Sequence, residues 1–349
     1  MIITNIKEIV NRFNNYFVNV GPTLAQKIPN TNISPTYFLS GRNSSTFALF
    51  LTSPDEVTRV VNSLESKTSA GYDFISVQLI KSIIPFIAQP LSELINESFV
   101  TGSFPNELKI ARVCPVFKGG DAADFSNYRP ISILPSFSKI YERLVYNRLM
   151  SFIDKHDLLY HNQFGFRKKH DTCMAVIEMV DRISQAMVSN SYSAGVFIDL
   201  SKAFDTLDHN ILLQKLEYYG VRGIALKWFA SYLENRQQYV DFCGVQSRYL
   251  RINTGVPQGS ILGPLLFLLY INDITNATNK LQYCLLMIQI FFQHKDLHSL
   301  VKIINEELEH LITWFQSNRL LLSVKKTNFI IFRNSRKLLH GDDSVDIAC

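Results

Sequence analysis

The sequence predicts an α+β protein, and three observations lead there. Apolar residues recur at helical spacing over several long stretches. Short apolar runs of strand length lie between Gly, Pro and Asn clusters. Their order over the later part of the 349 residues, strand, helix, hairpin, helix, strand, describes a mixed sheet with helices packed on one face. Bulk composition agrees, since 47% hydrophobic and 19% charged residues suit a globular chain and exclude a disordered one.

Taken in order, Ile6, Ile9, Val10, Phe13, Tyr16 and Phe17 repeat at helical spacing within Ile3 to Phe17, and a linker rich in Asn, Ser and Thr follows to about Ser45. Residues 1–50 therefore read as a helical extension tied loosely to the main body. Ser53-Pro-Asp-Glu56 is a capping box with proline at the first helical position, starting a helix that ends near Ser66. Lys67 to Asp73 reads as a loop. A helix from about Gln89 to Val100 carries Leu91, Leu94, Ile95 and Phe99 on one face. Ser136 to Lys155 forms another, with Tyr141, Leu144, Val145, Leu149 and Phe152 inward and Lys139, Arg143 and Arg148 outward.

Ala194 to Leu200 suits a buried strand ending in one carboxylate, Asp199. Asp208 caps the next helix, which runs to Gly220 and is followed by a helix from Ile224 to Asn235. Gln238 to Phe242 and Ser247 to Asn253 flank Cys243-Gly244 as a hairpin. Gly255-Val-Pro-Gln-Gly259 is a rigid turn feeding an apolar helix from Leu262 to Asn272. A long helix at Leu300 to Asn318 and a strand at Asn328 to Phe332 complete the reading.

No apolar run reaches the roughly 18 residues needed to span a bilayer, and the start lacks a signal-peptide pattern, so no membrane partner and an intracellular location are expected. Five scattered cysteines, none in a C-x-x-C pair, define neither a disulfide framework nor a zinc site. The oligomeric state is not set by these features. Lysine and arginine exceed acids by five overall, and residues 101–170 hold eleven Lys/Arg against six Asp/Glu, the same surplus of five. Aromatics interleave this basic segment, as suits a nucleic-acid backbone; a solvated helix face is the bland alternative.

Five segments then combine. Val113-Cys-Pro-Val-Phe-Lys-Gly-Gly-Asp121, Asn127-Tyr-Arg-Pro-Ile-Ser132, Asn162-Gln-Phe-Gly-Phe-Arg167, Phe197-Ile-Asp-Leu-Ser-Lys-Ala-Phe-Asp205 and Gly255-Val-Pro-Gln-Gly-Ser-Ile-Leu-Gly-Pro264 occur in this order. The chain thereby resembles reverse transcriptases of non-LTR retrotransposons, of the jockey-type, LINE-like branch, over about residues 5–333. The resemblance implies a right-hand polymerase fold, with fingers at 51–190, palm at 191–335 and a truncated tail at 336–349. It implies an RNA template, a DNA primer, deoxynucleoside triphosphates and Mg2+ as partners, the thumb and flanking endonuclease being expected to be missing.

In that family the primer 3′-oxygen attacks the α-phosphate in line, with two Mg2+ ions held by palm carboxylates. By resemblance Asp199 is a metal ligand, Phe204 the bulky gate against a 2′-hydroxyl, and Lys118 and Arg129 basic groups near the triphosphate. Gln258 and Gly259 match the turn that positions the nascent base pair. Lys326 matches a general acid for the leaving pyrophosphate, and Arg167, Lys168 and Lys169 suit template phosphates. Read without the resemblance, Asp199 is a turn residue, Phe204 a core aromatic and the cations solvated. Asp205, Asp208 and Asp273 are not expected as ligands, and His294 and His298 read as a solvated i, i+4 helix pair.

One segment departs from the family. An aromatic-Ala-Asp-Asp hairpin is expected within 284–292, where the chain reads Cys-Leu-Leu-Met-Ile-Gln-Ile-Phe-Phe. The string TTTGCTGATGATACAAATATTTTT encodes Phe-Ala-Asp-Asp-Thr-Asn-Ile-Phe, and skipping its first base yields Leu-Leu-Met-Ile-Gln-Ile-Phe, the sequence of Leu285 to Phe291. A local frameshift, restored downstream, is the expectation, and polymerisation is expected to fall by several orders of magnitude. A catalytically dead nucleic-acid-binding module and a retroelement relic are the competing readings. As structure, the segment also suits a buried strand.

Overall fold

The computed structural model describes residues 5–165, 167, 172–278, 281–284, 288–334 and 347. In chain order they form α1 (Ile6–Gln26), α2 (Pro54–Ser63), α3 (Val77–Thr101), β1 (Ile110–Phe117), β2 (Tyr128–Ile133), α4 (Ser136–Lys155), α5 (Thr172–Val188), β3 (Tyr192–Ile198), α6 (Ala203–Thr206), α7 (His209–Tyr218), α8 (Ile224–Leu233), β4 (Arg236–Phe242), β5 (Val245–Gln246), β6 (Leu250–Ile252), α9 (Gly263–Ile271), β7 (Leu281–Cys284), β8 (Ile288–His294), α10 (Leu297–Ser317) and β9 (Asn328–Phe332). The mixture of helix and sheet is the predicted α+β content. No helix among the described residues is long and apolar enough to cross a membrane.

Two compact units interleave along the chain: the first takes the residues up to Gln26, Gly41–Leu158 and Phe204–Tyr270, the second Lys27–Ser40, Leu159–Ala203 and the residues from Ile271 onward. Each has its own sheet, so the one mixed sheet of the sequence reading is corrected to two. The reason lies in β1 and β2, which that reading left unassigned. β1 pairs antiparallel with β2 and parallel with β4, drawing the hairpin strands β4, β5 and β6 into the first unit's sheet. The second sheet, ordered β7-β8-β3-β9, is antiparallel throughout.

In the first unit α1 is no loose extension. Val10, Phe13 and Phe17 are buried in one core with Ala111, Val113, Leu134 and Val240, and Phe13 meets Phe125 and Tyr128 edge-on at 4.7 and 4.8 Å. Burying one such side chain is worth roughly 1.5–3 kcal/mol, so three fasten the helix firmly. α3 starts at the Ser76 cap, where the hydroxyl accepts from Leu79 N at 3.2 Å, and ends at Gly102 in the left-handed conformation. The sequence reading began it only at Gln89, because Pro85 and Pro90 interrupt the pattern. Burial of Val77, Ile80, Ile84, Leu91 and Ile95 offsets a penalty of about 3 kcal/mol for each proline.

Ser53 caps α2 as expected, its hydroxyl accepting from Glu56 N at 3.2 Å. The Glu56 carboxylate turns elsewhere: it accepts from Thr52 Oγ1 at 2.7 Å and, on both oxygens, from Arg148 at 3.0 and 2.8 Å. Arg148 is therefore corrected from an outward to a buried residue, 8% exposed. The β4–β5 hairpin turns through Cys243 and Gly244, both at positive φ (51° and 75°), the geometry a two-residue hairpin turn demands.

In the second unit Leu300, Ile304, Leu311 and Trp314 of α10 are buried, and α10 packs on β3 and β8. Ile288, Ile290, Phe291 and Phe292 of β8 are buried as well. The described part of the apolar segment is thus a core strand. Leu285, Leu286 and Met287 lie outside the described residues.

Candidate functional site

Asp199 follows the last residue of β3, where Ile198 is paired with Ile288 of β8. Its backbone is held by the segment that precedes β9: the Asp199 carbonyl accepts from Ser323 N at 2.9 Å, and Ser201 N donates to Leu321 O at 2.8 Å. A 3-10 turn at Val324–Lys326 then carries the Lys326 ammonium to 3.3 Å from Asp199 Oδ2. Two residues selected far apart in the sequence are brought together. The Lys326 side chain is 73% exposed, so the pair is worth roughly 0–1 kcal/mol and is free to open.

The strands around Asp199 supply no second acid. β8 presents Ile288, Gln289 and Ile290 beside the end of β3, and neither β9 nor the Val324–Lys326 turn contains an Asp or Glu. Among the described residues no group of three His, Cys, Asp or Glu side chains could hold a metal ion. Asp296 caps α10, accepting from Ser299 N at 2.7 Å. His294 ends β8 while His298 lies on α10, which corrects the expected helix pair.

In the first unit the Gly255–Gly259 turn is stitched to α6 and to Leu207 just after it. Gly255 N donates to Leu207 O at 2.7 Å, Val256 N to Phe204 O at 2.8 Å, and Thr254 Oγ1 to Asp205 O at 3.1 Å. Gln258 Nε2 donates to Asp205 Oδ1 at 2.8 Å, while its carbonyl accepts from Ser132 N of β2 at 2.9 Å. Gly259 has φ 134°, and a Cβ there would stand 2.4 Å from Ser132 O, so glycine is required by backbone approach. Phe204 is half-buried, its ring 5.0 Å from that of Phe267 on α9. The recess at this turn holds about 30 Å³, room for a water molecule, so any nucleotide would meet its outer surface.

Two supports of this turn were missed in the sequence. Glu142, fully buried on α4, accepts from Ile261 N at 2.6 Å, Leu262 N at 3.2 Å and Ser138 Oγ at 2.9 Å. It thereby satisfies free amides just before α9, where a carboxylate also suits the helix dipole. Burial pushes its carboxyl above the ordinary range, opposed by Arg236 and by those hydrogen bonds. Gly21 of α1 is the other: a Cβ there would lie 2.1 Å from Asp205 O. A glycine interrupting a helical pattern is the one local signal available for it.

Lys118 and Arg129 lie on the β1–β2 hairpin. Val116 is paired with Arg129, and Lys118 N donates to Asn127 O at 2.9 Å, so alternation sets both cations on one face. Lys118 Nζ also donates to Ser126 O at 3.0 Å, whereas Arg129 is exposed. In the second unit Arg167 Nη1 donates to the carbonyls of Tyr160 and His161 at 3.2 and 3.3 Å. Lys168 and Lys169 lie outside the described residues. Asp208 caps α7 as expected, accepting from Asn210 N and Ile211 N, and Asp273 is buried in the 3-10 turn Asn272–Asn276.

Residues 118–344 match the family described as reverse transcriptase (RNA-dependent DNA polymerase). The chain is 34% identical over 227 residues, 63% of its length, to the probable RNA-directed DNA polymerase of transposon BS from Drosophila melanogaster. It is 34% identical over 225 residues, 64% of its length, to the RNA-directed DNA polymerase from mobile element jockey of the same fly, and 30% identical over 223 residues to that of Drosophila funebris. In each case the match spans 24% of the relative's own length.

Proposed function

The chain belongs to the reverse transcriptase (RNA-dependent DNA polymerase) family, and on that premise we propose that it is a non-LTR retrotransposon polymerase domain that keeps its binding surfaces for nucleic acid and nucleotide but no longer supports two-ion chemistry. The observation that supports this reading is β8: Ile288, Gln289 and Ile290 run beside the end of β3 that leads into Asp199, and the strand carries no carboxylate. Two-ion nucleotidyl transfer needs carboxylates that clamp both attacking and leaving oxygens. One aspartate, already paired with Lys326, does not fit two Mg2+ ions.

What remains suits binding. Arg129 offers a planar fork and Lys118 a point charge to a triphosphate or backbone phosphate, from one face of the hairpin. Gln258, fixed through Asp205 and Ser132, presents the turn that would support a nascent base pair. Phe204, braced by Phe267, would crowd a 2′-hydroxyl. Lys326 would supply a proton only after leaving Asp199. In this reading residues 51–190 act as fingers and 191–335 as palm, and the apolar segment arose by a frameshift that erased Ala-Asp-Asp.

The test joins two assays on the same protein. RNA binding that weakens steeply between about 50 and 200 mM salt, without Mg2+-dependent primer extension, is the expected result. Robust extension abolished by Asp199→Ala would overturn the proposed loss, and absence of both activities would leave a relic. Sequencing DNA and transcript across codons 280–296 decides the origin: GCTGATGAT in another frame supports the frameshift, and its absence from all frames means outright replacement.

A further inference from the structure

Helix α3 has two apolar faces, and the core needs only one. Ile80, Ile84, Leu91 and Ile95 are buried on the inner face. On the outer face Leu79, Ile83, Phe86, Pro90 and Leu94 recur at intervals of four, three, four and four residues, a stripe about 22 Å long at helical rise. Leu79, Phe86 and Leu94 are 48%, 84% and 57% exposed. At Leu94 the stripe opens into a cavity of about 490 Å³ walled by Leu91, Leu108, Phe137 and Tyr141. A continuous exposed apolar patch of this kind marks an interaction surface.

We propose that a second copy of this chain covers the stripe, the two α3 helices packing antiparallel about a two-fold axis between Phe86 and Ile87. About that point four of the five stripe residues pair with one another, Leu79 opposite Leu94 of the second copy and Ile83 opposite Pro90, while Phe86 falls opposite the half-buried Ile87 beside the stripe. A self-complementary pattern is what a two-fold interface requires. Charge agrees with the direction. Exposed Glu93 and Glu97 border the C-terminal half of the stripe, and the first turn of α3 carries no acid. Antiparallel pairing brings these carboxylates level with the N-terminal turn of the other α3, where the helix dipole favours them, whereas parallel pairing sets like charges side by side. The length of the stripe, beyond the cavity itself, favours a helix over a small molecule as occupant.

Sedimentation velocity of the wild-type chain over a concentration series tests this. The expected result is a weight-average mass rising toward twice the monomer value, with the rise lost in Phe86→Asp and in Leu94→Asp and retained in Ile177→Asp, which alters an exposed apolar residue on α5. Circular dichroism matching the wild type verifies that the variants fold, both α3 sites being exposed. Disulfide cross-linking reads direction: a mixture of Leu79→Cys and Leu94→Cys should cross-link above the wild-type background, and neither alone. A monomer at every concentration, a dimer indifferent to both α3 variants, or cross-linking of Leu79→Cys with itself would each overturn the proposal.

Discussion

Arg148→Ala removes a guanidinium that ties three segments of the first unit together. Its two parallel bonds to Glu56, at 3.0 and 2.8 Å, are charge-assisted, and further N–H groups donate to Phe50 O at 3.1 Å and Leu51 O at 3.3 Å. Breaking a fully buried ion pair costs about 3–5 kcal/mol. Here the Arg148 side chain is 7% exposed but that of Glu56 is 29% exposed, so water recovers part of the carboxylate and about 2–3 kcal/mol remains. The pH dependence carries a definite sign. Burial opposes the Glu56 charge, yet hydrogen bonds from Arg148 and Thr52 hold its carboxyl below the ordinary range. Its contribution is therefore present above the unfolded value of about 4.3 and lost as pH falls through the lowered folded value. Hydrogen exchange over α2 and α4 should show faster opening in Arg148→Ala at neutral pH and a shrinking difference on acidification. A loss under about 0.5 kcal/mol at neutral pH, or one unchanged in acid, would refute the reasoning.

Three other outcomes are expected. Gly259→Ala forces a Cβ to 2.4 Å from Ser132 O at a φ of 134° and should cost about 2 kcal/mol or more, read as a lower thermal midpoint. Glu142→Gln keeps an acceptor oxygen for Ile261 and Leu262 but turns an N–H toward Ser138, whose hydroxyl donates to Glu142 in the wild type and must then accept. Because burial raises the Glu142 carboxyl, native stability declines as pH rises above the unfolded value of about 4.3 toward the raised folded one, and denaturant titrations should show that decline flattened in the variant. Paired Lys118→Ala and Arg129→Ala substitutions should lower the slope of log K against log salt for RNA by about 0.7 for each phosphate no longer neutralised, and an unchanged slope would remove the hairpin face from the binding surface.

Legibility followed the range of the interactions. Ser53, Asp208 and the span Ser136–Lys155 were readable because caps and helical periodicity are set within a few residues. Motif order made the family readable. Arg148 and Glu142 were not, since nothing near a helical cation or acid in sequence announces Glu56 or the amides of Ile261 and Leu262. β1 escaped notice because its parallel partner β4 lies far along the chain.

By itself the sequence determined the α+β class, most helix boundaries, membership of the reverse transcriptase family and the uncharged character of the 284–292 segment, all of which rest on local pattern or residue identity. Tertiary structure alone decided that two sheets form, that α1 belongs to a core, that Gly21 and Gly259 exist for backbone approach, and that Asp199 is met by Lys326 beside isoleucines. These depend on which distant segments touch. A hydrogen bond or a buried contact is chosen by three-dimensional proximity, and spacing along a chain does not encode it.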